Sequence, residues 1–333
     1  MIRVLAVSSW GTACGIAEHT KLVSSAVASA DSEIAVWTPG SETLDPEVTM
    51  RLVTQGAHPV QSDARAQVIW LNHHDGLHSR WERNHIINLQ ARGVKVLVTY
   101  HDTLADQNSA KAHMIHRWAD AMIVHEPVAD LPRAVYLRQG VPALRGVYQT
   151  NYTDLGGWPR PVLGTTGFDF PWKNYTRLAA LTAEIGWGFM LLSNNITPRI
   201  PELRTINPHL LVYDGFRPTD EIVSRLAGCT ATAFMYECAN TGTSGAIRLG
   251  IAARKPVYAL GTCRQFRDLL LAEQQSDEGQ LINWVYNWET LRRLLVQSWP
   301  VDCDPAMVYL AEHDSLDKVG EAYAQIIHGL VAP

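Results

Sequence analysis

Two glycines, Gly11 and Gly15, lie in a loop between an apolar run and an amphipathic stretch. Glycine lets a ligand approach the backbone closely, and the N-terminus of a helix offers free N–H groups to a phosphate. The spacing is not the Gly-x-Gly-x-x-Gly of dinucleotide-binding loops, so an ordinary strand-to-helix turn is the alternative. Gly15 is therefore a candidate contact for a phosphate or a sugar.

A polar pair, His101 and Asp102, follows the apolar run Val96-Leu97-Val98-Thr99-Tyr100. A histidine at the end of a buried strand could hydrogen-bond a substrate hydroxyl or a developing charge, with the aspartate orienting a neighbouring group. The alternative is a structural histidine whose side chain hydrogen-bonds only to groups at the end of its own strand. His125, at the end of another apolar run, is a weaker example of the same pattern.

Lys173 stands just before a predicted helix, after a strand that runs into Gly164 and Gly167. A lysine there is slightly unfavourable to the helix dipole, whereas it could neutralise a bound phosphate as a point charge. This position favours a ligand contact for Lys173.

A loop of small residues, 241–245, precedes another predicted helix. Thr243, Ser244 and Gly245 offer backbone N–H groups and hydroxyls that suit an anion, and Ser244 could cap the helix. Glu237, just before the loop, could accept hydrogen bonds from a ribose or sugar hydroxyl. A plain capped loop and a solvated carboxylate are the alternatives.

The elements that must position these residues alternate between short β-rich runs and amphipathic helical stretches, which predicts an α/β fold with parallel sheets. Ligands of such sheets bind beyond the carboxyl ends of the strands, so we expect the site in the cleft between two domains. A Gly-, Pro- and Asn-rich stretch near 148–161 predicts the linker. The predicted domains are 1–155 and 156–300, and residues 301–333 are predicted to be helical.

Composition excludes several classes of protein. Hydrophobic residues make up 47% and charged residues 18%, as in a packed globular protein, and the net charge of −5 does not favour nucleic acid or a membrane surface. Five cysteines without a CxxC pair, and no long apolar stretch, predict a reduced, cytoplasmic protein with no zinc site and no transmembrane segment. Ten of the 13 histidines lie in residues 1–150.

Taken in order, these segments resemble the retaining GT-B glycosyltransferases, the large group that includes family 4. The resemblance covers nearly the whole chain, and its most specific part runs from Ser244-Gly245-Ala246 to Lys255-Pro256-Val257. It implies two Rossmann-like domains facing across a cleft, the first holding the acceptor and the second the nucleotide, with the last helix crossing back to the first domain.

The resemblance also assigns roles. It implies that His101, beside Asp102, is the active-site histidine and that Lys173 binds the donor diphosphate, while Gly15 lies near the donor sugar. The amides of residues 243–245 then contact phosphate. Two glutamates that many relatives carry are replaced by Thr241 and Leu249, and the usual partner arginine is absent unless Arg177 or Arg199 substitutes.

The implied activity is transfer of a hexose from a nucleoside-diphosphate sugar, UDP- or GDP-linked, to an acceptor hydroxyl with retention. No cofactor and no metal are implied, because a lysine and helix amides supply the positive charge. The acceptor is open: a glycan, lipid, metabolite, protein or hydroxymethylated DNA base. A sugar-nucleotide epimerase and a non-catalytic nucleotide-sugar-binding module are the alternatives.

Overall fold

A computed structural model describes residues 1–10, 14–55, 65–74, 78, 80–101, 117–125, 134–144, 161–237, 242–274, 276, 279–297 and 303–332. The chain divides into two compact units. The first comprises Met1–Gly140, Thr241–Thr243 and Leu316–Pro333, and the second comprises Val141–Asn240 and Ser244–Ser315.

The first unit is built on a six-stranded parallel sheet with the strand order β2-β1-β3-β4-β5-β6. Its central strands are continuous apolar runs and are buried, as expected for a sheet covered on both faces. The strands are β1 (Ile2–Val7), β2 (Ile34–Trp37), β3 (Val68–His73), β4 (Lys95–Tyr100), β5 (Ala121–Val124) and β6 (Ala134–Tyr136).

Helices pack against this sheet, and the C-terminal helix is among them. Trp70 on β3 donates its indole N–H to Thr99 on β4 at 2.9 Å, and the Thr99 hydroxyl lies 2.8 Å from the Tyr323 hydroxyl of the C-terminal helix. The last helix therefore belongs to the first unit. The helices are α1 (Gly15–Ala30), α2 (Pro46–Gln55), α3 (Arg83–Gln90) and the C-terminal α11 (Leu316–Val331).

The second unit is built on another six-stranded parallel sheet, with the strand order β12-β11-β10-β7-β8-β9. Its buried apolar side chains form the largest core cluster of the protein's described residues. The strands are β7 (Val162–Thr166), β8 (Gly188–Ser193), β9 (Leu210–Asp214), β10 (Ala231–Phe234), β11 (Val257–Leu260) and β12 (Asn283–Val285).

Seven helices accompany this sheet in the described part of the second unit. They are α4 (Tyr175–Glu184), α5 (Ile200–Ile206), α6 (Thr219–Ala227), α7 (Gly245–Ala252), α8 (Arg267–Gln274), α9 (Trp288–Gln297) and α10 (Pro305–His313). None of the helices described in either unit is long and apolar enough to cross a membrane.

The predicted α/β class with two parallel sheets is confirmed, and individual elements differ. The amphipathic pattern of residues 77–92 predicts a helix from Leu77, whereas the helix begins only at Arg83, because Trp81 is buried and Glu82 caps the helix with His85. The elements α2, α5 and β12 were not predicted. The amphipathic pattern of residues 109–119 also predicts a helix, and most of this segment and of the predicted linker lie outside the described residues.

Candidate functional site

Each sheet has a point where the strand order reverses direction. In the first sheet β1 lies between β2 and β3, and in the second sheet β7 lies between β8 and β10. Ligands of open parallel sheets bind beyond the carboxyl ends of the strands at such points. The candidate residues lie after strands of these two sheets, and we describe each unit separately.

Lys173 ends a 3₁₀ turn, Pro171–Lys173, between β7 and α4. Its side chain is 5% exposed, and its Nζ lies 5.0 Å from the ring centre of Tyr236 and 5.4 Å from that of Trp172. These distances are those of cation–π contacts, which hold an ammonium in a partly desolvated place. The structure therefore places this cation in a fixed, buried position at the switch point of the second sheet.

Gly167 makes room for this ammonium. It has φ +130°, and a Cβ built on it would overlap Lys173 Nζ. Around it, Tyr236 donates its hydroxyl to the Thr166 carbonyl at 3.1 Å, and the Glu237 amide donates to the Trp172 carbonyl at 2.8 Å. The ends of β7 and β10 are thus tied together around Lys173.

Glu237 immediately follows this cluster, and its carboxylate is engaged within the protein. Its Oε1 accepts the indole N–H of Trp288 at 2.8 Å and lies 3.4 Å from the Arg177 guanidinium, which stacks on the Trp288 ring. Its side chain remains 46% exposed. The arginine and the tryptophan orient the carboxylate and leave part of it accessible.

The small-residue loop leads into α7. Ser244 is the N-cap by position, yet its side chain accepts no helix amide, so the predicted capping hydrogen bond is absent. Ser244 is buried and Gly245 is the first helical residue. Thr243, half-buried just before them, groups with the first unit. The Ser244 amide donates to the Gln265 carbonyl at 3.2 Å, whereas the amides of the first helical turn, which have no intrahelical acceptor, find none in the Ser244 side chain.

Gly15 is the first residue of α1 in the first unit. The N-cap residue Cys14 makes no side-chain capping hydrogen bond, and a Cβ built on Gly15 meets nothing within 4 Å. No neighbour in the described structure thus requires a glycine here. Close approach of a ligand to the backbone would be a reason for a glycine at position 15.

His101 follows β4 and is 9% exposed. Its backbone N–H donates to the His73 carbonyl at 2.9 Å, which extends the β3–β4 pairing by one residue. The ring centres of His19 on α1 and His125 after β5 lie 4.7 Å and 5.3 Å from that of His101. Asp102, its predicted partner, lies outside the described residues.

Burial keeps these rings neutral. It holds the pKa of His101 well below its ordinary value, and the neighbouring His19 and His125 lower it further. The pKa of His19 is also well below its ordinary value, first because of burial and then because of His125. At neutral pH both rings are therefore available as hydrogen-bonding groups or as ligands, not as cations.

Within the second unit, the hydrogen bond from the Glu237 amide to the Trp172 carbonyl joins the segments that carry Glu237 and Lys173, and Ser244 and Gly245 begin the helix that follows β10. Within the first unit, Gly15 and His101 follow β1 and β4. The sequence reasoning gave no role to His19, because a ring on a helix meets two strand ends only in three dimensions. Two signals in the sequence could have identified the three histidines as a group. His19 lies in the first turns of the predicted helix that begins after β1, and His125 ends the apolar run of β5.

One Asp-x-Asp sequence, 302–304, occurs near the C-terminus. Asp304 caps α10, since its carboxylate accepts the Ala306 amide at 3.0 Å. The Asp304 carboxylate of this sequence therefore serves as the N-cap of a helix.

The sequence matches no protein-family model and no curated protein. Solved structures do match, with alignments over nearly the full length of both chains. AviGT4, a glycosyltransferase involved in avilamycin A biosynthesis, is 13% identical with a TM-score of 0.63, covering 100% of this chain and 99% of that one.

Two further structures show the same likeness. An α-glucosyltransferase in complex with UDP and a 13-mer DNA is 9% identical with a TM-score of 0.56, covering 98% of this chain and 95% of that one. Os79 from O. sativa, in complex with U2F and trichothecene, is 12% identical with a TM-score of 0.59, covering 97% and 100%. Together with its two parallel sheets, these matches show that the chain has the fold of the GT-B glycosyltransferases.

Proposed function

We propose that this protein transfers a hexose from a nucleoside-diphosphate sugar to an acceptor hydroxyl. The observation that carries the proposal is the buried ammonium of Lys173 at the switch point of the second sheet, with the uncapped helix α7 beginning after the neighbouring strand. A fixed cation and free helix amides suit a diphosphate. The fold shared with glycosyltransferases supports the same reading.

The second unit would stabilise the leaving group. As the bond between the anomeric carbon and the diphosphate oxygen breaks, negative charge grows on the diphosphate. The Lys173 ammonium and the amides of Thr243 and Gly245 would stabilise that charge with little reorganisation, whereas the Ser244 amide would first have to leave the Gln265 carbonyl, to which it donates at 3.2 Å. A divalent cation is then not needed at the diphosphate, so we expect transfer to persist in a metal chelator.

The remaining candidates would hold the sugars. The neutral ring of His101 suits a hydrogen bond to a hydroxyl of the donor sugar, and the open space at Gly15 suits a sugar close to the backbone. Glu237 would accept a hydrogen bond from a ribose or sugar hydroxyl through its exposed part. Asp102 keeps its proposed role of orienting a neighbouring group, and we propose retention of anomeric configuration on the resemblance to family 4.

A thermal-shift screen against UDP-, GDP-, ADP- and TDP-sugars tests the donor. A ligand at 100 times its Kd stabilises the native state by about 2.7 kcal/mol, which raises Tm measurably. We expect a UDP- or GDP-sugar to give the largest shift. The donor proposal fails if none of the four classes changes Tm at millimolar concentration.

Release of free nucleoside diphosphate, measured with and without acceptors, separates a transferase from the two alternatives, and the identity of the recovered donor sugar separates an epimerase from a binding module. A transferase releases it in proportion to acceptor, an epimerase leaves the donor diphosphate intact, and a binding module releases none. The acceptor panel should contain a glycan, a lipid, a small aglycone and hydroxymethylated duplex DNA. The DNA belongs in it because one structure of the same fold was solved with UDP and DNA.

Two substitutions test the site. We expect Lys173→Met, which keeps the buried stem but removes the charge, and His101→Ala to lower the transfer rate while the protein stays folded. Loss of a charged contact to a leaving group costs about 2–4 kcal/mol of transition-state stabilisation, or about 30- to 900-fold in rate. Lys21→Ala, on the exposed side of α1, is the control. Wild-type rates in both site variants would remove this assignment.

A further inference from the structure

Three histidines from separate elements meet at the carboxyl edge of the first sheet. One nitrogen from each of His19, His101 and His125 lies within 4.8 Å of the other two. Their ring centres are 4.7 to 5.3 Å apart, and the rings are inclined to one another. Pairing of Tyr100 with Val124 across β4 and β5 brings His101 and His125 to the same level of the sheet.

Hydrogen bonds fix which nitrogens carry lone pairs. A carbonyl oxygen only accepts, so His125 Nδ1, 2.8 Å from the Leu137 carbonyl, carries the hydrogen and Nε2 carries the lone pair. His101 Nε2 lies 3.4 Å from the amide oxygen of Asn72, which assigns the lone pair to Nδ1. Nε2 of His19 is buried and makes no hydrogen bond within the described structure.

We propose that His19, His101 and His125 bind a divalent transition metal, with Zn²⁺ as the best match. Three neutral imidazoles suit Zn²⁺ far better than Mg²⁺ or Ca²⁺, which prefer oxygen ligands. Hydrogen bonds from the second ring nitrogen to a carbonyl or amide oxygen are the usual outer shell of metal-binding histidines. Three protein ligands leave a fourth position open, as in catalytic rather than structural zinc sites.

The three ligand nitrogens fit the geometry of a bound Zn²⁺ ion once the imidazole rings move slightly closer together. Tetrahedral Zn²⁺ with about 2.0–2.1 Å bonds to nitrogen needs ligand nitrogens about 3.4 Å apart. Rotation of the side chains about χ1 and χ2 supplies the remaining difference from the present separation. The low pKa values of His19 and His101 help in addition, because protons compete less for these nitrogens at neutral pH.

Bound metal would have a consequence for transfer, and this step alone rests on the proposed function. If Nδ1 of His101 ligates the ion, the same lone pair cannot accept a hydrogen bond from the donor sugar. We therefore infer that Zn²⁺ inhibits the transfer reaction and that a chelator restores it. The binding proposal itself is tested with the metal alone.

The test uses full-length protein stripped of metal and titrated with Zn²⁺ by calorimetry, and with Co²⁺ by its visible absorption. We expect one ion per chain and the intense absorption of tetrahedral Co²⁺ with nitrogen ligands. His19→Ala and His125→Gln should each weaken binding by at least about 10- to 100-fold. Far-ultraviolet circular dichroism verifies that the variants are folded. If His19→Ala does not fold, His125→Gln, whose side chain has a similar volume to the histidine it replaces, still provides the test.

His328→Ala is the matched control, because Asp31, Glu33 and His328 form the other described group with metal-ligand spacing. We expect it to bind Zn²⁺ like the wild type. The proposal is overturned if the wild type shows no saturable binding, or if binding survives in the cluster variants and is lost in His328→Ala. Failure of metal binding would leave the donor screen untouched, and failure of the donor screen would leave metal binding untouched.

Discussion

Gly15 is a residue whose size the described fold does not explain. An added Cβ meets none of the described residues within 4 Å, and alanine is a better helix former than glycine by about 1 kcal/mol. We expect Gly15→Ala to leave Tm unchanged or to raise it, while it lowers the transfer rate by crowding the donor sugar. Thermal unfolding and initial rates on the same preparation measure both effects. Full activity in a stable Gly15→Ala protein would contradict the donor contact.

The histidine cluster predicts a pH dependence of stability in metal-free protein. The pKa values of His19 and His101 are lowered in the folded state, so below about pH 6.5 the unfolded chain binds protons that the folded chain does not. The free energy of unfolding should therefore fall as pH decreases from about 6.5, by at most about 1.4 kcal/mol per pH unit for each histidine.

Denaturant unfolding between pH 5 and 7.5 measures this slope. We expect His101→Gln to reduce it, because glutamine does not titrate. An identical slope in His101→Gln and the wild type would show that the ring is protonated in the folded state as readily as in the unfolded one.

At this scale the sequence predicted which side chains lie beyond strand ends, such as His101 directly after β4 and Lys173 in the turn between β7 and α4. Their positions beyond a strand end are set by local chain order. It did not predict that Gly167 would face the Lys173 ammonium or that His19 would meet His125. Those contacts depend on the packing of a turn against its strand and of a helix against a sheet, which residue spacing alone does not encode.

At the scale of elements, the close packing of α11 on α1 depends on Gly320. A Cβ built there lies 2.5 Å from the carbonyl carbon of Ala26 and 2.7 Å from its oxygen, and backbone atoms cannot yield as a flexible side chain can. We expect Gly320→Ala to destabilise the protein by about 1–3 kcal/mol, the usual range for overpacking. Urea unfolding gives the difference.

Gly329→Ala, on the same helix, is the matched control, since its Cβ meets nothing within 4 Å in the part of the chain that the structure describes. It should be neutral or stabilise the protein by up to about 1 kcal/mol through helix propensity. Equal stability of the two variants would show that α11 is not held against α1 by this contact.

The strands were predictable where they are long, apolar and central, as in β3 and β8. β12 was missed because it has three residues and pairs only with β11 at the edge of the sheet. α2 was missed because Val48, Thr49 and Val53 give a stretch of β-branched residues that favours strands. Tertiary packing decides such short segments, so local propensity misplaces them.

For the whole molecule, the two parallel sheets each carry candidate groups of a different chemistry. The first sheet presents neutral imidazoles, and the second presents a buried ammonium and free helix amides. An anionic nucleotide and a soft divalent cation should therefore bind different units. The alternation of elements predicted both units, whereas the division of chemistry between them required the structure.

Hydrogen exchange of the full chain can locate each ligand. The first-turn amides of α7, Gly245–Ile247, lack intrahelical acceptors, so they should exchange quickly in the free protein and slowly once phosphate oxygens accept their hydrogens. We expect UDP to protect these amides and those of residues 167–175, and Zn²⁺ to protect the ends of β4 and β5. Lys173→Met should abolish protection by UDP and leave protection by Zn²⁺ intact. If UDP instead protected only the first sheet, the nucleotide would bind the first unit, and Lys173 would be a structural cation held by its aromatic neighbours.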